Sequence, residues 1–225
     1  TLRADLPELI SGIRAIGHIP LLLTNGIKLT NAEYVKELKE AGLRTVYLSL
    51  NGGLKDELYE RTDGVRCAPE KLLALHNLCK DKFVISAGMI LMRDLNVSHL
   101  KEFASYLDGL REVREIKLRS VGRFGIYTDS DPLTMEELIE VCHKGLGVSL
   151  ADIRRGRRRE NLYYFQSKGK RVQITRWPDL GNPGRGYLTR EGTIEPFFEY
   201  LVASEKKGES PATAPARKAV SNVTY

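Results

Sequence analysis

The chain has 225 residues, of which 42% are hydrophobic and 28% charged, and its formal net charge is +6. This length suits one domain or one domain with a small addition, and the composition excludes a collagen, a coiled coil and a wholly disordered chain. No apolar run approaches the roughly 18 residues that a membrane-spanning helix needs, so no membrane span is predicted. Three widely spaced cysteines, Cys67, Cys79 and Cys142, imply no disulfide framework, and we expect a cytoplasmic protein.

Helices and strands are predicted to alternate along residues 1–150. Asp5 and Pro7 open a first helix that Gly17 ends, and a short apolar run at 20–24 is predicted to be a buried strand. The elements predicted after it are helix 31–41, strand 45–50, helices 56–61 and 69–80, strand 83–92, helix 98–110, strand 115–119 and helix 133–145. Successive strands start 25, 38 and 32 residues apart. This spacing is typical of βαβ units and therefore predicts a parallel sheet with right-handed crossovers.

Small polar residues and glycines follow each of these four strands. They are Thr24-Asn25-Gly26, Ser49-Leu50-Asn51-Gly52-Gly53, Met92-Arg93-Asp94 and Arg119-Ser120-Val121-Gly122. Asn-Gly and Gly-Gly also occur as ordinary turns, but parallel α/β folds bind their ligands at the carboxyl ends of strands. The repetition at four strand ends favours a ligand site. Neither a Gly-x-Gly-x-x-Gly dinucleotide motif after a strand nor a P-loop lysine motif is present in the sequence.

The C-terminal part carries the positive charge. Between Arg154 and Arg190, eleven Lys and Arg residues face two carboxylates, a net of +9. Residues 161–166 and 171–177 are predicted to form a β-hairpin in which basic and aromatic side chains interleave. Three interpretations stay open: nucleic-acid binding, an anionic small or lipid-like substrate, and a structural appendage with a solvated basic side. Residues 204–225 lack periodicity and are predicted to be disordered.

Four segments of the sequence resemble a known family. They are Thr1 to Ile10, Leu23 to Gly26, Glu37 to Leu43 and Val46 to Gly52. In this order and spacing they resemble the radical S-adenosylmethionine (SAM) superfamily over residues 1–122, and most of all the branch of the molybdenum-cofactor radical enzyme and the radical methylases of lipids and pterins. The first segment resembles the stretch that directly follows the Gly-Gly-Glu-Pro motif of these enzymes.

The resemblance implies an α/β fold, a partial (β/α)6 TIM-like barrel that lacks its first units and carries a small C-terminal β-rich appendage. We expect the barrel at 1–150, a basic hairpin appendage at 151–203 and a disordered tail at 204–225. In the family, a Cys-x3-Cys-x2-Cys motif holds a [4Fe-4S] cluster that binds SAM, and one electron cleaves SAM to a 5′-deoxyadenosyl radical. The implied function is hydrogen abstraction from, or methylation of, an unknown substrate, with an electron donor such as flavodoxin or ferredoxin; an anionic substrate is one of the interpretations that the basic segment leaves open.

The resemblance also assigns SAM-binding positions at the strand ends. Ser49 and Asn51 fall where the family has polar contacts to the ribose or carboxylate of SAM, and Ile90 falls where a side chain packs on adenine. The complete set that it implies is Thr24, Asn25, Ser49, Asn51, Ile90, Ser120 and Val121. Core packing is the alternative role of Ile90 and Val121.

The sequence departs from the family at its metal site. The three cysteines are 12 and 63 residues apart, and the Gly-Gly-Glu-Pro segment is absent. We therefore expect an N-terminally truncated fragment whose cluster ligands lie upstream of Thr1 and which is inactive alone, or else a degenerate barrel that has lost its chemistry. A rival hypothesis is a non-catalytic α/β module that binds nucleic acid or another anionic partner through residues 154–190.

Overall fold

Helices and strands alternate through the chain as the sequence predicts. The computed structural model describes residues 3–122, 131–176, 186–188 and 194–196. The helices described are α1 (Leu6–Ala15), α2 (Ala32–Glu40), α3 (Asp56–Asp63), α4 (Ala68–Lys80), α5 (Leu100–Asp108), α6 (Met135–Leu146) and α7 (Leu150–Arg155). The strands are β1 (Leu21–Thr24), β2 (Thr45–Ser49), β3 (Val84–Leu91), β4 (Val113–Ser120), β5 (Arg157–Arg159), β6 (Leu162–Ser167), β7 (Lys170–Thr175), β8 (Gly186–Leu188) and β9 (Ile194–Pro196). None of the helices described is long and apolar enough to cross a membrane.

Seven strands form one sheet in the order β1-β2-β3-β4-β7-β6-β5. The first four are parallel neighbours in chain order, β7 adds parallel to β4, and β6 and β5 follow antiparallel. The predicted α/β class with a mainly parallel sheet is confirmed. Strands β8 and β9 pair with each other in a separate two-stranded sheet.

One face of the seven-stranded sheet is covered by helices and holds the core. Alternate strand residues such as Val46, Ile85 and Leu118 point into it and are buried together with helix residues including Leu38 and Leu75. We call the opposite face the open face. In register across the strands it presents the rows Leu23-Tyr47-Ser86-Glu115-Arg171-Gln166, Ser49-Gly88-Lys117-Gln173-Tyr164 and Ile90-Arg119-Thr175-Leu162-Arg159. Because side chains alternate along a strand, this face is polar where the other is apolar.

Strand β1 differs from the prediction of a buried strand. It lies at the edge of the sheet, and Leu21 and Leu23 on its open-face side are 50% and 65% exposed. Only Thr24 of this strand is buried. A short apolar run is compatible with either an edge or a central position, because the run does not specify how many neighbouring strands it has.

Two helix starts illustrate the local rules. Thr134 caps α6 in a capping box, in which its hydroxyl accepts from the Glu137 backbone N–H and the Glu137 carboxylate accepts from the Thr134 backbone N–H. Asp5 occupies the N-cap position of α1, but its side chain makes no capping bond and accepts from the Arg3 guanidinium instead. The prediction that the Asp5 carboxylate caps α1 is therefore wrong, although Asp5 does occupy the N-cap position.

The predicted hairpin at 161–177 is present as β6 and β7, joined by a tight turn in which Lys168 and Gly169 have positive φ. It continues the main sheet next to β4, so no break between sheets coincides with the boundary predicted at residue 150. The sequence interpretation also missed α7 and β5, which contain the arginines at 154–159. The tail predicted as disordered, 204–225, lies outside the described residues.

Candidate functional site

Asn51 lies just beyond the carboxyl end of β2, and both ends of its side-chain amide are engaged. Its Nδ2 donates to Oδ1 of Asp63 at 3.1 Å, and its Oδ1 accepts from the backbone N–H of Ile90 at 3.0 Å. The side chain therefore bridges the start of the loop after β2 to the end of β3. The structure shows a bracing role for Asn51, and direct contact with SAM stays a prediction.

Asn96, which is completely buried, completes the same connection from the other side. Its Nδ2 donates to the backbone oxygens of Asn51 and Ile90 at 2.9 and 2.7 Å, and its Oδ1 accepts from Met92 N–H at 2.9 Å. A buried amide with all these partners is a rigid connector, since each unsatisfied group would cost free energy. We call Asn51 and Asn96 the asparagine clasp.

A buried lysine contacts two residues next to the asparagine clasp. The Lys71 side chain on α4 is 1% exposed, and its ammonium donates to the backbone oxygen of Ser49 at 3.2 Å and to Asp63 Oδ2 at 3.0 Å. The Tyr59 ring lies 5.2 Å from the same nitrogen. Asp63 is thereby held between Lys71 and Asn51. The sequence interpretation missed Lys71, although its helical spacing from the apolar Ala74, Leu75 and Leu78 places a lysine on the core-facing side of α4.

Ser49 and Ile90 are brought together on the open face at the carboxyl end of the sheet. Ser49 pairs with Gly88 in register, and Ile90 follows two residues later on the same face of β3. Both are half-buried, and the Ser49 hydroxyl makes no hydrogen bond to any residue that the structure describes. A hydroxyl beside an accessible apolar side chain suits a ligand with a flat ring and a polar sugar, so these residues fit the adenosine part of SAM.

The other predicted SAM-binding residues are placed differently. The Thr24 hydroxyl accepts from Gly26 N–H and the Asn25 side chain from Ile27 N–H, so both shape the turn after β1. Ser120 is completely buried and alternates onto the helix-covered face of β4, where Arg119 takes the open face. Val121 is also buried. The SAM contacts of these four residues stay predictions, and the geometry brings only Ser49, Asn51 and Ile90 together.

The middle of the open face carries a buried carboxylate that binds three neighbours. Glu115 on β4 is 5% exposed and accepts from Ser86 Oγ at 2.8 Å and from Arg171 Nε at 2.8 Å, and the Lys117 ammonium lies 3.3 Å away. A buried carboxylate with these partners is both neutralised and saturated with hydrogen bonds. It fixes the positions of the two cations on either side of it.

Aromatic rings lie under both of these cations. The Lys117 ammonium is 5.5 Å from the centroid of the Tyr47 ring, and the Arg171 guanidinium is 5.6 Å from that of Tyr164. The Tyr47 ring is accommodated because residue 88 is glycine: a Cβ there would lie 2.0 Å from the Tyr47 hydroxyl. The open face therefore presents two cations, Lys117 and Arg171, each of which lies over an aromatic ring. Positive charge of this kind suits an anionic ligand.

Many basic residues of the C-terminal segment make contacts within the fold. Lys170 is 5% exposed and donates to the backbone oxygens of Leu110 and Val113, and Lys168 pairs with Asp108. Other ion pairs are Arg154–Glu136, Arg155–Asp152 and Arg171–Glu115. These contacts favour a structural role for much of the predicted basic patch.

The cysteines do not fit an iron–sulfur cluster. Burial raises the pKa of the Cys67 thiol, raises that of Cys79 to about 11, and raises that of Cys142 further still. A raised pKa opposes the thiolate form that binds iron. Among the residues that the structure describes, which include all three cysteines, no group of three His, Cys, Asp or Glu side chains comes together to hold a metal.

Comparison with known proteins shows which sequences this chain resembles. Residues 1–107 match the family model of the radical SAM superfamily. A 129-residue stretch, 56% of this chain, is 36% identical to the 7,8-dihydro-6-hydroxymethylpterin dimethyltransferase of Methanocaldococcus jannaschii and spans 25% of that protein's length.

A solved structure shares the fold. It is a domain of a pyruvate-formate lyase-activating enzyme from Bacteroides vulgatus, which superposes with a TM-score of 0.52 at 14% identity over 61% of this chain and 81% of that one. Because the identity is low, this likeness shows the fold alone, and it confirms the predicted partial barrel. Residues 1–107 are therefore similar in sequence to the radical SAM superfamily, and the mainly parallel α/β sheet agrees with that similarity.

Proposed function

We propose that this chain supplies the SAM-binding part of a radical SAM enzyme, with SAM lying on the open face at the carboxyl end of β2 and β3. One observation carries the proposal: the Ser49 hydroxyl, which has no hydrogen-bond partner among the described residues, and the half-buried Ile90 side chain lie together on the open face. Ligands of parallel α/β folds bind at this end of the strands.

In this proposal Asn51 is a positioning residue. Its amide links Asp63 to the Ile90 backbone, and Asn96 links the Asn51 backbone to the same strand. The asparagine clasp thereby keeps β2 and β3 at a fixed separation, so that Ser49 and Ile90 keep their spacing. Preorganised contacts of this kind favour ligand binding because the protein loses little freedom when the ligand arrives.

We assign SAM cleavage and the reaction that follows it to the complete enzyme, of which this chain is one part. SAM supplies a methyl group or a hydrogen-abstracting radical when it is cleaved, and the relative's name, a pterin dimethyltransferase, favours methyl transfer for the complete enzyme. Since Cys67, Cys79 and Cys142 do not fit a cluster, we assign the [4Fe-4S] ligands to a segment other than residues 1–225. We therefore expect this chain alone to bind SAM without cleaving it, and the reductant, flavodoxin or ferredoxin, to act on the complete protein.

Ser49→Ala tests the proposed contact. The substitution removes a hydroxyl that no described residue uses, so the fold should be unaffected while SAM affinity falls about three- to tenfold, the value of one neutral hydrogen bond. Saturation-transfer NMR of chain 1–225 with SAM measures this. Thr45→Val, on the same face at the opposite end of β2, is the matched control and should leave affinity unchanged. Equal affinities of the wild type and Ser49→Ala would remove Ser49 from the site.

Asn51→Ala separates positioning from contact. It removes the bridge between Asp63 and Ile90, so both the free energy of unfolding and SAM affinity should fall. Urea unfolding and the same NMR titration report the two effects. A fall in affinity with unchanged stability would make Asn51 a direct ligand of SAM, and unchanged affinity would remove it from the site.

A further inference from the structure

A separate cavity of about 310 Å³ lies on the open face at the antiparallel end of the sheet. Arg158, Tyr164, Phe165, Gln166 and Arg171 line it. Two of these side chains are guanidinium groups, which recognise carboxylate and phosphate oxyanions through paired hydrogen bonds. Its volume is near the lower limit of small-molecule sites, which suits one anionic group and the atoms next to it rather than a polymer.

Arg171 is held in a fixed orientation at this cavity. Its Nε donates to the buried Glu115 carboxylate at 2.8 Å, and its guanidinium lies over the Tyr164 ring. Glu115 is itself fixed by Ser86 and Lys117. Only Nε of Arg171 has a partner among the described residues, so its two terminal amino groups can donate to a ligand. The arginine is thus preorganised as a fork, and little conformational entropy is lost on binding.

Arg158 reaches the cavity through a bulge. Arg157 pairs with Tyr163 and Arg159 with Leu162, so Arg158 is the extra residue of β5. Bulges redirect a side chain out of the regular alternation of a strand. Arg158 is exposed and makes no hydrogen bond or ion pair with the part of the chain that the structure describes.

The charge balance of the open face calls for an anion. Among its described strand residues there is a single carboxylate, Glu115, which pairs with Lys117 and Arg171, and the same face also carries Arg119 and Arg159. Arg158 adds a further positive charge at the cavity. An excess of positive charge of this kind attracts an oxyanion.

We propose that the cavity between Arg158 and Arg171 binds the phosphate or carboxylate group of a small-molecule substrate. This assignment names the substrate class of the proposed radical SAM site and rests on that function for its role. The anion site shares the open face with Ser49 and Ile90, so one substrate-binding surface includes both. Anion binding itself needs neither SAM nor a cluster, and it can therefore be tested independently of the proposed function.

Calorimetric titration of chain 1–225 with pyrophosphate, inorganic phosphate and citrate is the test. We expect saturable binding of at least one probe, and the stronger probe identifies phosphate or carboxylate as the ligand group. Arg158→Gln should weaken it by about tenfold or more, because a charge-assisted hydrogen bond is lost. The Arg158 side chain makes no hydrogen bond or ion pair with the described residues. The variant should therefore fold normally and retain the circular dichroism spectrum of the wild type. Arg171→Lys keeps the charge but loses the fork and should weaken binding as well.

Arg157→Gln is the matched control. It removes the same charge one residue away, from a side chain that does not line the cavity, and it should change affinity less than about twofold. Equal losses in Arg157→Gln and Arg158→Gln would overturn the proposal, as would the absence of binding by all three probes. Tight binding of a single-stranded RNA oligomer, steeply salt-dependent and weakened equally by both variants, would contradict it in favour of a polymer-binding surface.

Discussion

Glu137 at the start of α6 acts through several contacts of a single side chain. Its carboxylate accepts from both terminal nitrogens of Arg93 and from the Thr134 backbone N–H. The Arg93 guanidinium and then the Thr134 N–H lower the pKa of Glu137 to about 2 from the ordinary 4.5. A carboxyl whose pKa is lower in the folded state stabilises the fold above its unfolded pKa, and this contribution is lost as pH falls toward the folded value.

We therefore expect Glu137→Gln to lower the melting temperature at pH 6 to 7 and to differ less from the wild type as pH falls from 4.5 toward 2. Thermal unfolding followed by circular dichroism across this range measures the difference. The pair is partly exposed, so 0.5 M salt should narrow the gap at pH 7 as a control. A gap of the same size at pH 3 and pH 7 would contradict this account.

The candidate site shows at the same scale what a sequence can and cannot predict. Ser49, Asn51 and Ile90 were identified by resemblance, and the structure brings them together. Their relationship was not predictable, because the bonds of Asn51 to Asp63 and to Ile90 depend on how two strands and a helix meet. Lys71 carried a local signal, a cation on an apolar helix face, whereas its partners Ser49 and Asp63 did not.

At the scale of elements, the sequence predicts the local geometry of caps and turns better than it predicts which strands lie next to each other. The capping box of α6 and the turn at Lys168 and Gly169 follow from residues close in the chain. The edge position of β1 and the pairing of β7 with β4 depend on packing between distant segments, which no local pattern specifies. For this reason the hairpin could be predicted from the sequence, whereas its pairing with β4 in the main sheet could not.

Gly156, where α7 passes into β5, tests the packing of this hairpin. A Cβ at this position would lie 1.8 Å from the backbone oxygen of Tyr164, which no side-chain rotation can relieve. Gly156→Ala should therefore lower the free energy of unfolding by about 3 kcal/mol, the upper part of the range for overpacking. Urea denaturation measures the loss.

Gly12 provides the control for the same substitution. It lies on the exposed side of α1 with nothing within 4 Å of the added Cβ, so Gly12→Ala should raise the free energy of unfolding by about 0.5–1 kcal/mol. If the two variants have equal stability, the close approach of β6 to Gly156 is not a feature of the folded protein.

At the scale of the whole molecule, one face of the seven-stranded sheet packs against helices and the other carries the proposed binding sites. The helix-covered face holds an apolar core, and the open face carries Ser49 and Ile90 at one end and the cavity of Arg158 and Arg171 at the other. The radical SAM match covers residues 1–107, so the strands of the proposed anion site, β5 to β7, lie beyond it. The proposed SAM-binding residues Ser49 and Ile90 therefore lie within the matched region, and the proposed anion site lies outside it.

The most direct test of the central claim is to map SAM binding on 15N-labelled chain 1–225 by NMR. The account predicts that the amide signals of residues 49–53 and of Ile90 shift on titration, because these residues surround the uncovered carboxyl ends of β2 and β3. Amides at the opposite ends of the same strands, Thr45 and Val84, should stay in place. Shifts that map elsewhere, or no shifts with SAM in excess, would contradict the assignment of the open face as the SAM-binding surface.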